Sequence, residues 1–382
     1  MTARSDGLRP STGENVNKIH LAVAPVIGVL VALGCTQPAP RSAAPQGAPD
    51  GPKFVVDPFW PKPLKDNWIF TQIAGLAVDS RDHVWVLHRP NTILDDEKAK
   101  GSQPESRCCT PAPAVTEFDA EGNFIQGWGG PGQGYDWPKN EHGIYVDAEG
   151  YVWIAGNDPA DNMILKFTRE GKFMMQIGRP GKSEGSNSRT QLGRPANMVV
   201  DAAASELYVA DGYGNKRIVV FDTRTGAYKR HWGAYGAAPS DDKAAPGAAP
   251  PKQFANAVHC VRLSNDGMVY VCDRGNTRIQ VFQKNGAFVT EFLSQQMSAL
   301  DSGDLLFSPD PAQRYIYISD GQKGQIHILS RGDGKPLGSF ARHGRYAGEF
   351  RSLHNLAMDS KGNIYTGEAG FGRRVQKFVR AD

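Results

Sequence analysis

The sequence predicts an all-β fold, a six-bladed β-propeller whose ring is closed by an N-terminal strand. A unit of about 40–47 residues recurs six times, which is typical of repeat architectures. Its strands are short and are separated by Gly, Asn and Asp turns, which indicates four antiparallel strands per unit. The last unit is about one strand short, and KFVVDPF (residues 53–59) supplies a spare strand. Closure by that strand removes sheet edges that would otherwise template aggregation.

The six units share one pattern. An apolar run crosses a D-x-x-G or N-D-G turn and enters a strand of β-branched and aromatic residues, and R-I-x-V-F follows. Four-stranded units of this length fit propeller blades, whereas a Greek-key sandwich would not repeat so regularly. We therefore expect one propeller domain over residues 53–382. Its units begin near Ile73, Pro138, Arg194, Phe254, Leu300 and Phe350.

The N-terminal segment predicts export. Residues 21–33, LAVAPVIGVLVAL, are apolar and follow a basic flank, and thirteen residues are too short as a helix to span a hydrocarbon core of about 30 Å. We interpret residues 1–35 as a leader ending in A-L-G-C, which resembles a bacterial lipobox with its lipid on Cys35. Ordinary signal cleavage, or a start codon placed too early, is the alternative. The product would be a periplasmic or cell-envelope lipoprotein, otherwise secreted, that touches the membrane only through the lipid. Residues 36–52 would be a flexible tether.

Charge and cysteine content narrow the function classes. The net charge is +3 with acids and bases interleaved, which argues against a nucleic-acid groove. Four cysteines remain once Cys35 is set aside, an even number that suits an oxidising compartment. Cys260 and Cys272 flank a hairpin turn, so a disulfide between them is sterically reasonable. The adjacent Cys108 and Cys109 favour a vicinal structural disulfide, with soft-metal binding or a free redox pair as alternatives.

Three histidines occupy the same place in three units. His142, His259 and His354 each lie eight residues before a turn glycine and ten residues before a hydrophobic–aromatic pair. The units between them lack this histidine, and Asn197 holds the place in one of them. With nine histidines in the whole chain, three in one column of six are not expected by chance. Because alternate blades of a ring face a common axis, we expect the three imidazoles to converge.

A converging set of three neutral imidazoles predicts a metal site. Such a set suits zinc, and an open fourth position is typical of a catalytic site. No cysteine shares the column, so a closed structural zinc site is not expected. Iron, manganese and copper also accept three histidines. The alternative is that the three histidines bind no metal and are polar side chains that line a water-filled channel.

Further polar residues share a second position, just after the second strand of a unit. Tyr213, Arg274 and Arg89 follow that strand in three units and would face one mouth of the channel. A metal with two guanidiniums predicts a small anionic substrate bearing a carboxylate. Tyr213 is then a candidate general base. The alternative is that each residue caps a turn. Among the other histidines, His88 is ambiguous, and the ones that we interpret as surface or packing residues are His83, His231, His327 and His343.

The units resemble NHL repeats, and the site resembles that of peptidyl-α-hydroxyglycine α-amidating lyase, the lyase domain of peptidylglycine α-amidating monooxygenase. The resemblance covers roughly residues 70–380. It is carried by GLAVDSRDHVWVLHR, EHGIYVDAEGYVWIAG, YVADGYGNKRIVVF, CDRGNTRIQVF and LHNLAMDSKGNIYTGEA. It implies cleavage of a carbinolamide, R-CO-NH-CH(OH)-COO⁻, into an amide and glyoxylate.

The resemblance also implies residue roles. His142, His259 and His354 match the zinc ligands of the family, Tyr213 its catalytic tyrosine, and Arg89 and Arg274 its two active-site arginines. A structural calcium would be held by the side chain at position 355 and by the carbonyls of Leu76 and Ile144. The chain departs from the family in three places: Asn355 replaces a carboxylate, which weakens a calcium site, Gly214 replaces a cysteine, and residues 90–112 form a different loop.

Two other functions remain open. A different axial-metal propeller enzyme, such as a hydrolase, would use the same three histidines, although propeller lactonases require a Glu, Asn and Asp set around calcium that the sequence does not offer. A non-catalytic NHL-repeat binding module would have a metal-free channel and a protein partner on one rim.

Overall fold

The described residues form six four-stranded antiparallel sheets, the blades of a propeller, in the computed structural model. The structure describes residues 51–98, 109–242, 252–293 and 303–381. The strands of each blade are labelled A to D from the axis outwards. The leader, the tether up to residue 50 and Cys108 lie outside the described residues. The predicted fold class is confirmed.

The first three blades are continuous in the sequence. Within each of them the strands pair in the order A-B-C-D. A bulge lies between strands C and D of all three blades. Blade 1 comprises Gln72–Val78, Val84–Arg89, Val115–Phe118 and Phe124–Trp128, blade 2 Glu141–Val146, Val152–Gly156, Met163–Phe167 and Phe173–Gly178, and blade 3 Asn197–Asp201, Glu206–Asp211, Arg217–Asp222 and Tyr228–Trp232.

The last three blades complete the ring. The N-terminal strand Phe54–Asp57 pairs antiparallel with Val375–Arg380 and is strand D of blade 6, so the predicted closure is observed. Blade 4 comprises Val258–Leu263, Met268–Asp273, Arg278–Gln283 and Phe288–Leu293, blade 5 Leu305–Phe307, Tyr315–Asp320, Gln325–Ser330 and Pro336–Phe340, and blade 6 Leu353–Met358, Ile364–Glu368, Val375–Arg380 and Phe54–Asp57.

Short elements decorate the blades. Two parallel two-stranded sheets pair Trp68–Ile69 with Thr110–Pro111 and Arg342–His343 with Glu349–Phe350. Single 3-10 turns occur at Pro90–Thr92, Ala234–Gly236 and Arg274–Asn276. No helix of the described residues is long and apolar enough to cross a membrane.

An aspartate that recurs in blades 1, 2 and 6 explains the A–B turns of those blades. Asp147 Oδ1 accepts hydrogen bonds from the backbone N–H groups of Glu149 and Tyr151, and its Oδ2 accepts one from the indole of Trp153. Gly150 completes this turn with a φ of 86°, a conformation that glycine adopts without strain. The carboxylate thus fixes both the turn and the large aromatic residue of strand B, which is why the turn motif and the hydrophobic–aromatic pair recur together.

The apolar core lies between blades. Among the described residues, six buried clusters each combine side chains from two neighbouring blades, including the pair formed by blades 6 and 1. Strand A of every blade contacts strand A of the next. Each blade therefore buries both faces against its neighbours, and the ring places six A strands around one axis.

The predicted hairpin disulfide is present in blade 4. Cys260 and Cys272 are directly paired across strands A and B and are bonded through their sulfur atoms, with a Cα–Cα distance of 4.9 Å. Both are fully buried.

Candidate active site

The three histidines of the column meet on the axis. Their ring centroids lie 4.9 to 5.2 Å apart, and their candidate ligand nitrogens all lie within 4.8 Å of one another. His142 and His259 are each only 1% exposed. Tertiary structure thus brings together residues from blades 2, 4 and 6, as the alternation in the sequence predicts.

A backbone irregularity aims each imidazole at the axis. In blade 2 the register with strand B skips from Glu141 to Gly143, so that His142 is the extra residue of a bulge. The same skip occurs at His259 in blade 4 and at His354 in blade 6. Bulges re-aim side chains and are frequent beside active sites. The third blade has no such shift, and its Asn197 pairs regularly.

Each imidazole is oriented by an oxygen on its Nδ1 side. His142 Nδ1 donates to the carbonyl of Ala196 at 2.8 Å, and His259 Nδ1 donates to the carbonyl of Gly303. His354 Nδ1 donates to Oδ1 of Asn355 at 2.7 Å. Because a carbonyl oxygen cannot donate, Nδ1 carries the proton, and Nε2 presents its lone pair to the axis. This is the tautomer that metal-ligating histidines adopt.

Burial keeps these imidazoles neutral. It lowers the pKa of His142 and of His259 well below the usual value, with further lowering by the other histidines and by the nearby arginines. The pKa of His354 falls to about 3, first through burial and then through the positive charge of Arg89. Neutral imidazoles are the form that binds a metal.

Tyr213 completes the cluster. Its hydroxyl oxygen lies 3.0 Å from Nε2 of His142 and 3.0 Å from Nε2 of His259. A phenol has one proton, so it can donate to only one of these two lone pairs. One of the two Nε2 lone pairs is therefore left without a hydrogen-bond donor. A bound cation would accept that lone pair. On this count the donor set fits a metal ion.

Two hydrogen bonds hold the guanidinium of Arg89 in place. Its Nε donates to the carbonyl of Glu141 at 2.8 Å, and its Nη1 donates to Oε1 of Gln72 at 2.9 Å. The side chain is 8% exposed, and burial lowers the pKa of the Arg89 guanidinium below its usual value, while the nearby Tyr213 raises it. The charge of Arg89 in turn lowers the pKa values of His142 and His354.

Two further arginines flank the tyrosine ring. The guanidinium carbon of Arg274 lies 5.4 Å from the ring centroid of Tyr213, and that of Arg194 lies 5.6 Å from it. Arg194 was missed by the sequence analysis. Its backbone has a φ of 60°, and its Nε is held by the carbonyl of Asn157 at 2.8 Å. One sequence signal could have indicated Arg194. It lies three residues before Asn197, which takes the place of the histidine in that unit.

The residues predicted to hold calcium are buried near the same axis. Asn355 is 4% exposed, and its Oδ1 accepts the hydrogen bond from His354. Leu76 and Ile144 lie on adjacent A strands, in blades 1 and 2. Asn355 therefore orients an imidazole whether or not it also binds an ion.

The other histidines of the described residues lie away from the axis. His88 is buried, and its Nε2 donates to the carbonyl of Ala112 at 3.0 Å. His88 is therefore a packing residue. His83 contacts Glu117 at 2.6 Å and lies with Asp79 in a second group that could hold a metal. Arg169 already bridges both carboxylates of that group. His231, His327 and His343 lie on strand D of blade 3, on strand C of blade 5 and in a two-residue strand, respectively.

The fold and the site together define a β-propeller with a three-histidine cluster on its axis that could hold a metal. No family model matches the chain. It is 24% identical over 306 residues to peptidyl-glycine alpha-amidating monooxygenase B of Xenopus laevis, covering 78% of this chain and 33% of that protein. The chain thus spans about a third of that relative's length.

Two other relatives match over most of their own length. NHL repeat-containing protein 3 of Mus musculus is 27% identical over 347 residues, or 86% of this chain and 85% of that protein. Peptidyl-alpha-hydroxyglycine alpha-amidating lyase 2 of Drosophila melanogaster is 26% identical over 339 residues, or 83% of this chain and 75% of that protein. The chain is therefore a propeller related, at low identity, to NHL-repeat proteins and to amidating enzymes.

A solved structure shares the fold. It is a structural genomics protein of unknown function from Bacteroides thetaiotaomicron, with a TM-score of 0.53 and 14% identity, covering 86% of this chain and 72% of that chain.

Proposed function

We propose that the protein is a zinc-dependent lyase that cleaves a carbinolamide of the α-hydroxyglycine type, or a related small hydroxy-acid adduct, into an amide and glyoxylate. The observation that carries the proposal is the convergence of three imidazoles on the axis, where Nε2 of His142 and Nε2 of His259 both face the hydroxyl of Tyr213. Relatives named as amidating lyases support the same reaction class.

Zinc fits the three imidazoles and would be held by His142, His259 and His354. A metal of this kind supplies a Lewis acid that polarises an oxygen of the substrate and makes its proton easier to remove. Sites with three protein ligands are typical of catalytic rather than structural zinc. The Nδ1 hydrogen bonds keep the three rings in one orientation, so the chain itself fixes the geometry of the site.

The arginines bind and orient the substrate. Its carboxylate matches the planar guanidinium fork of Arg89 or Arg274, which gives paired hydrogen bonds. Arg89 is preorganised for this role because Gln72 and the carbonyl of Glu141 hold the guanidinium in place. Preorganised charge lowers the cost of ordering a side chain when substrate binds.

Tyr213 moves the proton. Acting as the general base, with the guanidiniums of Arg274 and Arg194 beside its ring, it takes the proton of the substrate hydroxyl. The electron pair of that O–H bond becomes the new C=O bond of glyoxylate, and the C–N pair leaves with the amide nitrogen. The tyrosine then returns the proton to that nitrogen, so the reaction consumes and releases no other species. General acid–base catalysis of this kind contributes roughly 10²–10⁴-fold to a rate.

Calcium is a secondary part of the proposal. A structural ion would take the side-chain oxygen of Asn355 and the carbonyls of Leu76 and Ile144. An amide in place of a carboxylate removes one formal charge, so we expect weak affinity. Thermal unfolding with and without millimolar calcium tests it, because a bound ion stabilises the folded state.

The metal is tested by stoichiometry. The full chain is purified without chelator, and bound metals are measured in the wild type, His259→Ala and the control His231→Ala, which removes a histidine from an outer strand. We expect about one zinc per chain in the wild type and the control and none in His259→Ala. A wild type without metal would contradict the proposal and favour a non-catalytic binding module.

The reaction is tested with α-hydroxyhippurate, by assay of released glyoxylate. We expect release that depends on the bound metal and on Tyr213. A metal-loaded protein that cleaves no member of a carbinolamide panel would leave the axial-metal hydrolase as the better interpretation.

Export belongs to the same proposal. The buried Cys260–Cys272 disulfide supports an oxidising compartment. If Cys35 carries a lipid, the protein expressed in a bacterial host will sediment with membranes, and Cys35→Ser will release it. Equal fractionation of both proteins would favour simple cleavage.

A further inference from the structure

An aromatic and proline-rich cleft of about 700 Å³ opens between blades 1 and 2 and is lined in part by Glu141, the residue before His142. Its walls include Trp68, Pro113, Pro131 and Trp137. Binding sites for small molecules are typically concave, mostly apolar and of this size. None of the roles assigned so far uses this cleft.

Two residues of the cleft lining, Pro90 and Glu141, are chain neighbours of the site residues Arg89 and His142. Glu141 immediately precedes His142, and its carbonyl receives the hydrogen bond from Arg89. Pro90, which follows Arg89, lines the cleft as well. A substrate whose carboxylate contacts Arg89 would therefore lie beside two residues, Pro90 and Glu141, that line the cleft.

The walls are held in place from outside. The ring of Trp68 packs edge-to-face on Phe124 at 5.6 Å, and that of Trp137 packs on Phe167 at 6.0 Å. On the far side, His88 fixes the wall segment through the carbonyl of Ala112. A rigid apolar wall binds a flat group without first having to order itself.

One buried polar atom in the lining lacks a partner. Oε1 of Glu141 accepts a hydrogen bond of 2.7 Å from the indole N–H of Trp137. Oε2 is buried and has no hydrogen-bond partner among the described residues, and the residue as a whole is 5% exposed. A buried acceptor without a partner is costly, so a ligand that brings an N–H to this atom gains free energy.

We propose that this cleft binds the residue that precedes the α-hydroxyglycine unit and selects an aromatic side chain there, with the backbone N–H of that residue donating to Oε2 of Glu141. The inference rests on the proposed lyase function for the identity of the substrate. It names that substrate as a peptide, or an acylated dipeptide, with an aromatic penultimate residue. Trp137 and Glu141 are specificity residues, because they touch the substrate away from the reacting atoms.

Binding of product amides tests the cleft without catalysis. Isothermal titration calorimetry on the full chain compares N-acetylphenylalaninamide with N-acetylalaninamide. Burial of a phenyl ring predicts a preference of roughly 10- to 100-fold for the first. N-acetyl-N-methylphenylalaninamide lacks the donor N–H, and we expect it to bind about tenfold more weakly than its parent.

Two variants and a matched control locate the binding. Trp137→Ala removes a wall, and Pro131→Trp fills the cleft from an exposed loop position; both should reduce the preference for phenylalanine to within about threefold. The control Tyr315→Ala alters an aromatic side chain in a cleft at the opposite rim and should keep the preference. Equal binding of the two amides, or a preference that survives both variants, overturns the proposal.

Turnover separates this inference from the lyase proposal. N-acetylphenylalanyl-α-hydroxyglycine and the alanyl analogue are assayed for glyoxylate. Cleavage of both at the same kcat/KM overturns the aromatic subsite and leaves the lyase intact. If neither is cleaved while the amide preference persists in calorimetry, the lyase proposal fails, and the cleft remains a binding site for aromatic peptide ends.

Discussion

The Nε of Arg89 donates a hydrogen bond of 2.8 Å to the carbonyl oxygen of Glu141. This contact joins the end of strand B in blade 1 to the start of strand A in blade 2, one residue before the bulge at His142. Glu141 precedes the candidate metal ligand His142 and also lines the adjoining cleft. One hydrogen bond thus couples the candidate substrate anchor, the candidate metal ligand and the proposed specificity pocket.

Tyr213→Phe tests the proton transfer. It keeps the ring between Arg274 and Arg194 and removes the hydroxyl that faces His142 and His259. We expect the metal content to stay unchanged and kcat to fall roughly 10²–10⁴-fold, because a general base is lost. The measurements are metal analysis and glyoxylate release, with Tyr346→Phe at an exposed position as the control. Wild-type turnover by Tyr213→Phe would remove the tyrosine from the mechanism.

Arg89→Lys tests substrate anchoring. A lysine keeps the charge but cannot hold the carbonyl of Glu141, the amide of Gln72 and a substrate carboxylate together. We expect kcat/KM to fall about 10- to 100-fold with unchanged metal content, as carboxylate recognition loses its fork geometry. Arg314→Lys, whose side chain is 66% exposed, is the control. Equal kinetics for Arg89→Lys and the wild type would mean that the guanidinium does not position substrate.

Gly303→Ala tests the orientation of the histidines. The carbonyl of Gly303 accepts the hydrogen bond from His259, and a Cβ at this glycine would overlap the carbonyl of His354. The backbone must shift, which displaces ligands in blades 4 and 6 together. We expect reduced metal stoichiometry and a lower thermal midpoint. Gly332→Ala adds a Cβ where the nearest atom lies 3.9 Å away and should match the wild type. Full zinc occupancy in Gly303→Ala would show that this contact does not control the site.

Glu206→Gln tests a predicted pH dependence of stability. Glu206 accepts two hydrogen bonds from Arg230, at 2.6 and 2.7 Å, which lower its pKa to about 2. A lowered carboxyl pKa stabilises the folded state above the usual value of about 4.5, and this stabilisation is lost as pH falls towards 2. Denaturant unfolding should show Glu206→Gln less stable near pH 7 by about 1–2 kcal/mol, the contribution of hydrogen bonds to a charged group. The two curves should converge below pH 3, and a constant difference down to pH 2 would contradict this assignment.

Local sequence signals were sufficient for the architecture because a propeller blade is specified by residues close in the chain. Asp147, Gly150 and Trp153 lie within seven residues of one another and determine the turn, the strand and its buried aromatic together. The spacing of the histidines relative to such turns then indicated that all three side chains point to the axis, since the turn sets the register of strand A. The spare strand could be recognised because the last unit lacked one.

Arg194 and Glu141 escaped the sequence analysis because their roles come from distant partners. Arg194 stacks near a tyrosine that lies nineteen positions later and is held by the carbonyl of Asn157 in blade 2. Glu141 was overlooked beside His142, since nothing in its neighbourhood shows that one oxygen would be paired by an indole and the other left unpaired.

The sequence alone determined the number of blades, the closing strand, the Cys260–Cys272 pairing and the column of three histidines, because each depends on spacing within one unit or on its repetition. Only the tertiary structure decided the direction and the tautomer of each imidazole. The direction depends on a bulge in the strand that carries the histidine, and the tautomer depends on the oxygen that accepts from Nδ1. For His142 and His259 this oxygen is a backbone carbonyl of the next blade. It also decided the cleft between blades 1 and 2, whose walls come from loops of both blades. These features arise where separate units touch, and a repeat pattern carries no information about contacts that differ from one blade interface to the next.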